Sequence, residues 1–118
     1  MAIMRVGKAE IRVMDLEESV KYYTNVIGLE EMRRSEGRVY LKAWDEFDHH
    51  SLILQEADSP GLDHIAFKVE NEEDLAKYEK KIEQFGCTLK RVSKGTRIAE
   101  GEAIRFELPT GHQVELYH

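Results

Sequence analysis

Residues 8–28, KAEIRVMDLEESVKYYTNVIG, decide how the rest of the chain is read. Ile11 and Val13 alternate with Lys8, Glu10 and Arg12, the period-two pattern of a strand with one dry and one polar face. A strand is therefore predicted over 8–14. Asp15 follows where a helix needs an N-cap, and Glu18, three residues on, completes an acidic form of the capping box. Leu16, Val20, Tyr23 and Ile27 then fall on one helical stripe, and Gly28 is a natural stop.

The same order returns at 63–86, DHIAFKVENEEDLAKYEKKIEQFG. Ile65, Phe67 and Val69 form the dry face of a strand, and Asn71 caps a helix with Asp74 in its first turn. Leu75, Tyr78, Ile82 and Phe85 make the stripe, and Gly86 ends it. Three strand patterns follow each helix, at 29–34, 38–44 and 50–56 and again at 87–92, 103–108 and 112–117. Val13 and Val69 end equivalent strands 56 residues apart, and Val39-Tyr40-Leu41 corresponds to Ile104-Arg105-Phe106. The chain reads as a duplicated βαβββ unit, with modules at about 7–57 and 62–118 inside one domain, 1–118. Neither half has enough core to stand alone. The expected solution is an α+β fold: a paired, curved eight-stranded sheet, one helix behind each half, and a polar concave surface between the half-sheets.

Composition narrows the function classes. With 42% hydrophobic and 34% charged residues and two prolines in 118, the chain is neither disordered nor fibrous. A formal charge of −6 without a basic cluster excludes nucleic acid as the expected partner. The single cysteine, Cys87, cannot close an intrachain disulfide, so the expected compartment is the reducing cytoplasm. No apolar run has membrane length and the start has no signal-type apolar segment, so no membrane partner is expected.

Tandem βαβββ units of this size resemble the vicinal oxygen chelate superfamily, which includes glyoxalase I, bleomycin-resistance proteins, fosfomycin-resistance enzymes and extradiol ring-cleaving dioxygenases. Residues 37–44, GRVYLKAW, are similar to the first domain of catechol 2,3-dioxygenases, as are 51–54, SLIL, and 109–117, PTGHQVELY. The resemblance implies a parent enzyme of about twice this length that cleaves catechol rings with Fe(II) and O₂. In that enzyme the first domain is the copy without the metal.

The family's ligands are a histidine from the first strand of each half and a glutamate from the last strand. Carried onto this sequence, His64 matches the second histidine and Glu115 the glutamate. The first histidine position, 56 residues before His64, holds Lys8. A two-histidine, one-carboxylate site needs lone-pair donors, and an ammonium is not one. Lys8 is therefore expected to replace the ion by pairing with Glu115, and also with Glu10. The competing reading keeps His64 and Glu115, helped by Glu10 or a second chain, as a vestigial divalent-ion site. No catalytic residue is assigned.

Elsewhere the readings are plainer. His49 and His50, beside Asp45, Glu46 and Asp48, read as solvated loop residues, because neighbours in a strand point to opposite faces. His112 reads as a turn residue and Cys87 as a buried small side chain. Tyr40, Trp44 and Tyr117 are expected in or beside the concave surface.

The functional expectation is a non-catalytic N-terminal domain of an extradiol dioxygenase, with no cofactor on this chain and Fe(II) in the parent. Its expected partners are the C-terminal catalytic domain, a second copy, or a small aromatic ligand. The alternatives are a free-standing small-molecule-binding protein of the bleomycin-resistance kind and a single-domain glyoxalase-like metalloenzyme.

Overall fold

The computed structural model describes residues 3–43, 50–92 and 102–118. Trp44, His49 and the acidic stretch 45–48 lie outside the described residues. Among the described residues, eight strands and two α-helices make an α+β fold with mixed parallel and antiparallel pairing. The chain divides into two compact units: Lys8–Asp63, and His64–His118 together with the residues up to Gly7.

In the first unit β1 (Ile3–Val13) leads to α1 (Leu16–Lys21), then β2 (Glu30–Ser35), β3 (Arg38–Lys42) and β4 (Leu52–Glu56). Their order is β2-β3-β4-β1, with β1 parallel to β4 and the other pairs antiparallel. The strand predicted from residue 8 starts five residues earlier. Asp15 caps α1 as expected, its carboxylate accepting from Glu18 N at 3.1 Å. The helix does not stay α-helical to Gly28. Tyr22–Ile27 is a π-helical segment, in which the Thr24 hydroxyl donates to the Val20 carbonyl at 2.8 Å. Thr24, Val26 and Ile27 are β-branched and stiff, and back-bonding of this kind loosens a helix end. The wider turn carries Ile27 off the predicted stripe, leaving it 53% exposed. Leu16, Val20 and Tyr23 do pack, with Ile11, Val13, Val39, Leu41, Leu52 and Leu54 from the sheet.

The second unit repeats the plan with β5 (Gly61–Val69), α2 (Glu72–Phe85), β6 (Leu89–Val92), β7 (Ala103–Glu107) and β8 (Gln113–Tyr117), in the order β5-β8-β7-β6. Asp74, buried, accepts from Asn71 N at 3.2 Å and ties the start of α2. At the other end Gly86 adopts φ 102°, and its N–H and that of Cys87 close on Glu83 and Ile82 carbonyls. That Schellman arrangement needs a residue tolerant of left-handed backbone. Leu75, Tyr78 and Ile82 pack on Phe67, Val69, Ile104, Phe106 and Leu116. Phe85, predicted in the stripe, is 75% exposed because the helix ends before its side chain reaches the sheet.

Each helix thus covers the apolar face of its half-sheet, where fully burying one leucine contributes about 1.5–3 kcal/mol. The opposite face collects the polar residues. Alternation leaves no choice: a strand that sends Val114 and Leu116 to the helix sends Glu115 and Tyr117 away from it.

Candidate functional site

On the face away from α2, three side chains of the second unit meet. His64 comes from β5, Arg105 from β7 and Glu115 from β8. Register puts Glu115 beside Ala66 on one flank and Arg105 on the other, so His64 is its diagonal neighbour. His64 and Glu115 are fully buried, while the Arg105 side chain keeps 21% of its surface. His64 Nε2 is 3.7 Å from Glu115 Oε2, and Arg105 Nη2 is 3.4 Å from Glu115 Oε1.

The same Nη2 is 3.2 Å from His64 Nδ1 and 3.4 Å from Nε2. An atom nearly equidistant from both ring nitrogens cannot lie in the ring plane without striking the carbon between them. Arg105 Nη2 therefore lies off the plane of the His64 ring. It touches both sequence-predicted ligand residues at once.

The first unit has the same rows with different contents. The row Ala66–Glu115–Arg105 corresponds to Glu10–Ile53–Tyr40. The next row, Lys68–Tyr117–Ala103, corresponds to Arg12–Gln55–Arg38. The carboxylate has moved from the last strand to the first, and its arginine has moved one row along. Glu10, buried, pairs with Arg38 Nε at 3.2 Å. The Gln55 amide completes the group, its nitrogen donating to Glu10 Oε2 at 2.9 Å and its oxygen accepting from Arg38 at 3.3 Å. Such a satisfied network is what allows a carboxylate to be buried.

Lys8 is 3% exposed, on the same face of β1 as Glu10. The sequence reading gave Glu115 and Glu10 a lysine partner. Arg105 stands beside Glu115 and Arg38 beside Glu10, and the sequence reading named neither arginine. His50 also corrects an expectation: it is 3% exposed rather than solvated. Its ring packs edge-on against Tyr40, with centroids 4.9 Å apart, because the chain entering β4 turns it onto the sheet. Tyr40 and Tyr117 are buried. His112 is an exposed turn residue, its Nδ1 2.8 Å from the Thr110 hydroxyl. Cys87 is half-buried rather than buried.

A divalent ion is what the resemblance would place against His64 and Glu115, and the residues present do not fit one. The carboxylate already faces a fixed guanidinium. A unit charge pair 4 Å apart interacts by roughly 4 kcal/mol at an effective dielectric constant of about 20, and a dication doubles this. The arginine brings its charge to Glu115 Oε1 and opposes a second cation there.

Comparison with known proteins agrees with the sequence resemblance. Residues 62–118 match the family model of the catechol 2,3-dioxygenase-like N-terminal domain. A metapyrocatechase of Pseudomonas sp. (strain CF600) is 42% identical over 116 residues, covering 98% of this chain and 38% of the relative. A manganese-dependent 2,3-dihydroxybiphenyl 1,2-dioxygenase of Geobacillus genomosp. 3 is 31% identical, with 98% and 37% covered. Among solved structures, the 2,3-dioxygenase LapB of Pseudomonas sp. KL28 superposes with a TM-score of 0.94 at 44% identity, over 99% of this chain and 41% of that one. Homoprotocatechuate 2,3-dioxygenase of Brevibacterium fuscum gives 0.91 at 35% identity, over 98% and 32%. The chain spans well under half the length of each of these relatives. In sequence and in fold alike, the chain is similar to the N-terminal domain of the catechol 2,3-dioxygenases.

Proposed function

We propose that this chain serves as the N-terminal, non-catalytic domain of an extradiol catechol 2,3-dioxygenase, an enzyme that cleaves a catechol ring beside its two hydroxyls. The observation that carries the reading is Arg105 set against His64 and Glu115, which closes the pair to an ion in its own unit. The metal, Fe(II) on this reading, is then held elsewhere in the parent enzyme; one relative is named for manganese instead. The domain's partners are the catalytic domain of that enzyme and a second copy of itself, in the cytoplasm. Exposed Tyr22 and Val26 on the π-helical segment and Phe85 at the end of α2 are surfaces for such contacts.

The test is an assay of the purified chain, loaded anaerobically with Fe(II) or Mn(II) and then given catechol and O₂. We expect no ring cleavage and no stoichiometric metal after desalting. Turnover with one bound ion per chain overturns the proposal.

A further inference from the structure

We propose that the second unit carries a binding site for a small organic acid with a hydroxyl or amino donor at its far end, in a cavity where β6 and β7 part. The cavity measures about 170 Å³, and its polar lining is Thr88, Lys90, Arg105, Glu107 and Gln113. It lies on the outer strands of the sheet, β6, β7 and β8. The site goes beyond the dioxygenase reading and does not rest on it.

Register places these side chains. Lys90 stands directly opposite Arg105. Two residues further along β7, Glu107 stands opposite Gln113. Alternation puts Thr88 on the face of Lys90, while Leu89 and Phe106 turn to α2. Two cations are thus neighbours in one row, and like charges directly opposed cost stability. Lys90 is exposed, and its ammonium makes no hydrogen bond or ion pair among the described residues. Arg105 turns Nη2 to Glu115 and the His64 ring, and its Nε has no partner among the described residues.

A carboxylate set against Lys90 and Arg105 would relieve their repulsion through charge-assisted hydrogen bonds. The row of Glu107 and Gln113 lies about 6.8 Å along the strands, two residues at the usual rise. The Glu107 carboxylate makes no ion pair among the described residues. It repels a second anion and accepts from a hydroxyl or amine. The lining therefore suits an acid at one end and a donor at the other, a span that a ring with the two groups para to each other covers. For a single-ring molecule of this kind, Kd should be roughly 0.1–1 mM.

The probe is 4-hydroxybenzoate, titrated into the 118-residue chain and followed by amide NMR shifts. Saturable shifts should gather at Thr88–Lys90, Arg105–Glu107 and Gln113. Benzoate lacks the donor and phenol lacks the acid, so each should bind at least about fivefold more weakly. Lys90→Met should weaken 4-hydroxybenzoate about tenfold, and Lys90→Arg should restore most of the binding. Lys90 is exposed, so neither change threatens the fold. Glu107→Gln removes a negative charge beside the anion. It should tighten benzoate and shrink the difference between the two acids.

Shifts that do not saturate by about 10 mM, that fall elsewhere on the chain, or that survive Lys90→Met unchanged overturn the site. Benzoate that binds as tightly as 4-hydroxybenzoate overturns the two-ended ligand. No arm reads ring cleavage, so the dioxygenase role can fail while this site stands, and the reverse.

Discussion

Arg105 and Glu115 are directly opposed across the β7–β8 ladder, and the residues in the same places of the first unit are Tyr40 and Ile53. Duplication has kept the backbone rows and redistributed the charge between them. In the first unit the buried acid is Glu10, one strand further along the row, and its arginine is Arg38. Each unit therefore buries its own carboxylate beside its own guanidinium.

This pairing predicts a coupled response in the first unit. Arg38→Met should cost about 2–3 kcal/mol, because buried Glu10 would lose the guanidinium that pairs with it. Glu10→Gln in the same chain should return a part of this, giving a coupling of about 1 kcal/mol or more in a double-mutant cycle by urea unfolding. Strictly additive losses would show that the two side chains do not depend on each other.

The β2–β3 hairpin predicts a gain. Its two central residues, Glu36 and Gly37, have φ of 46° and 77°, as a type I′ turn requires. Glycine adopts this backbone freely, whereas a glutamate there is strained. Glu36→Asn should stabilise the chain by roughly 0.5–1 kcal/mol, since asparagine tolerates the left-handed region. Chemical denaturation measures it; an unchanged or lower midpoint contradicts the turn assignment.

The fold was legible because its signals are local and repeated. Asp15 and Asn71 open helices and Gly86 closes one, whereas His64 and Glu115 were named by the family resemblance rather than by strand alternation. What failed was side-chain reach. Ile104-Arg105-Phe106 alternates as plainly as the other strands, so Arg105 could have been put on the ligand face from the sequence. It was passed over because a motif of family ligands names only the residues that bind the ion. Arg38 and Gln55 form a pair only through register, which strand patterns do not give. His50 and Phe85 failed for the same reason from opposite sides: burial at an element's end depends on where the chain turns.

Acid should loosen one surface contact between α1 and β2. Arg34 bonds to both Glu17 and Glu31, and the hydrogen bond from Arg34 holds the Glu17 carboxyl below its ordinary value of 4.5. A folded-state value below the unfolded one means stability that is present above pH 4.5 and lost as the pH falls through the folded value. Because the pair is solvated, the change in overall stability is small. The local signature is a carboxyl carbon titration by NMR: Arg34→Gln should return Glu17 upward to 4.5. An unmoved titration would break the assigned link.

Exposed apolar residues predict association. Val26 is 68% exposed and Tyr22 51%, one helical turn apart on the same segment. Sedimentation at hundreds of micromolar should reveal a dimer, weakened by Val26→Ser. A strict monomer at that concentration argues against this surface.

Gly7 and Tyr117 supply the sharpest packing test. The Tyr117 ring is buried with Ala66 and Ala103, both too small to displace it. A methyl group on Gly7 would fall on the phenol itself, at Oη and the adjoining ring carbons. Gly7 does not have a positive φ, so its backbone suits alanine. In open space, Gly7→Ala would then stabilise by about 0.4–1 kcal/mol through the unfolded chain. Against the ring it should instead cost roughly 1–3 kcal/mol, the penalty of overpacking. The sign should reverse when the obstacle is shortened: in a Tyr117→Leu background, itself less stable, Gly7→Ala should be neutral or favourable. Urea unfolding of the four proteins measures both differences. The same cost for Gly7→Ala in the two backgrounds would mean that the ring is not what the missing side chain makes room for.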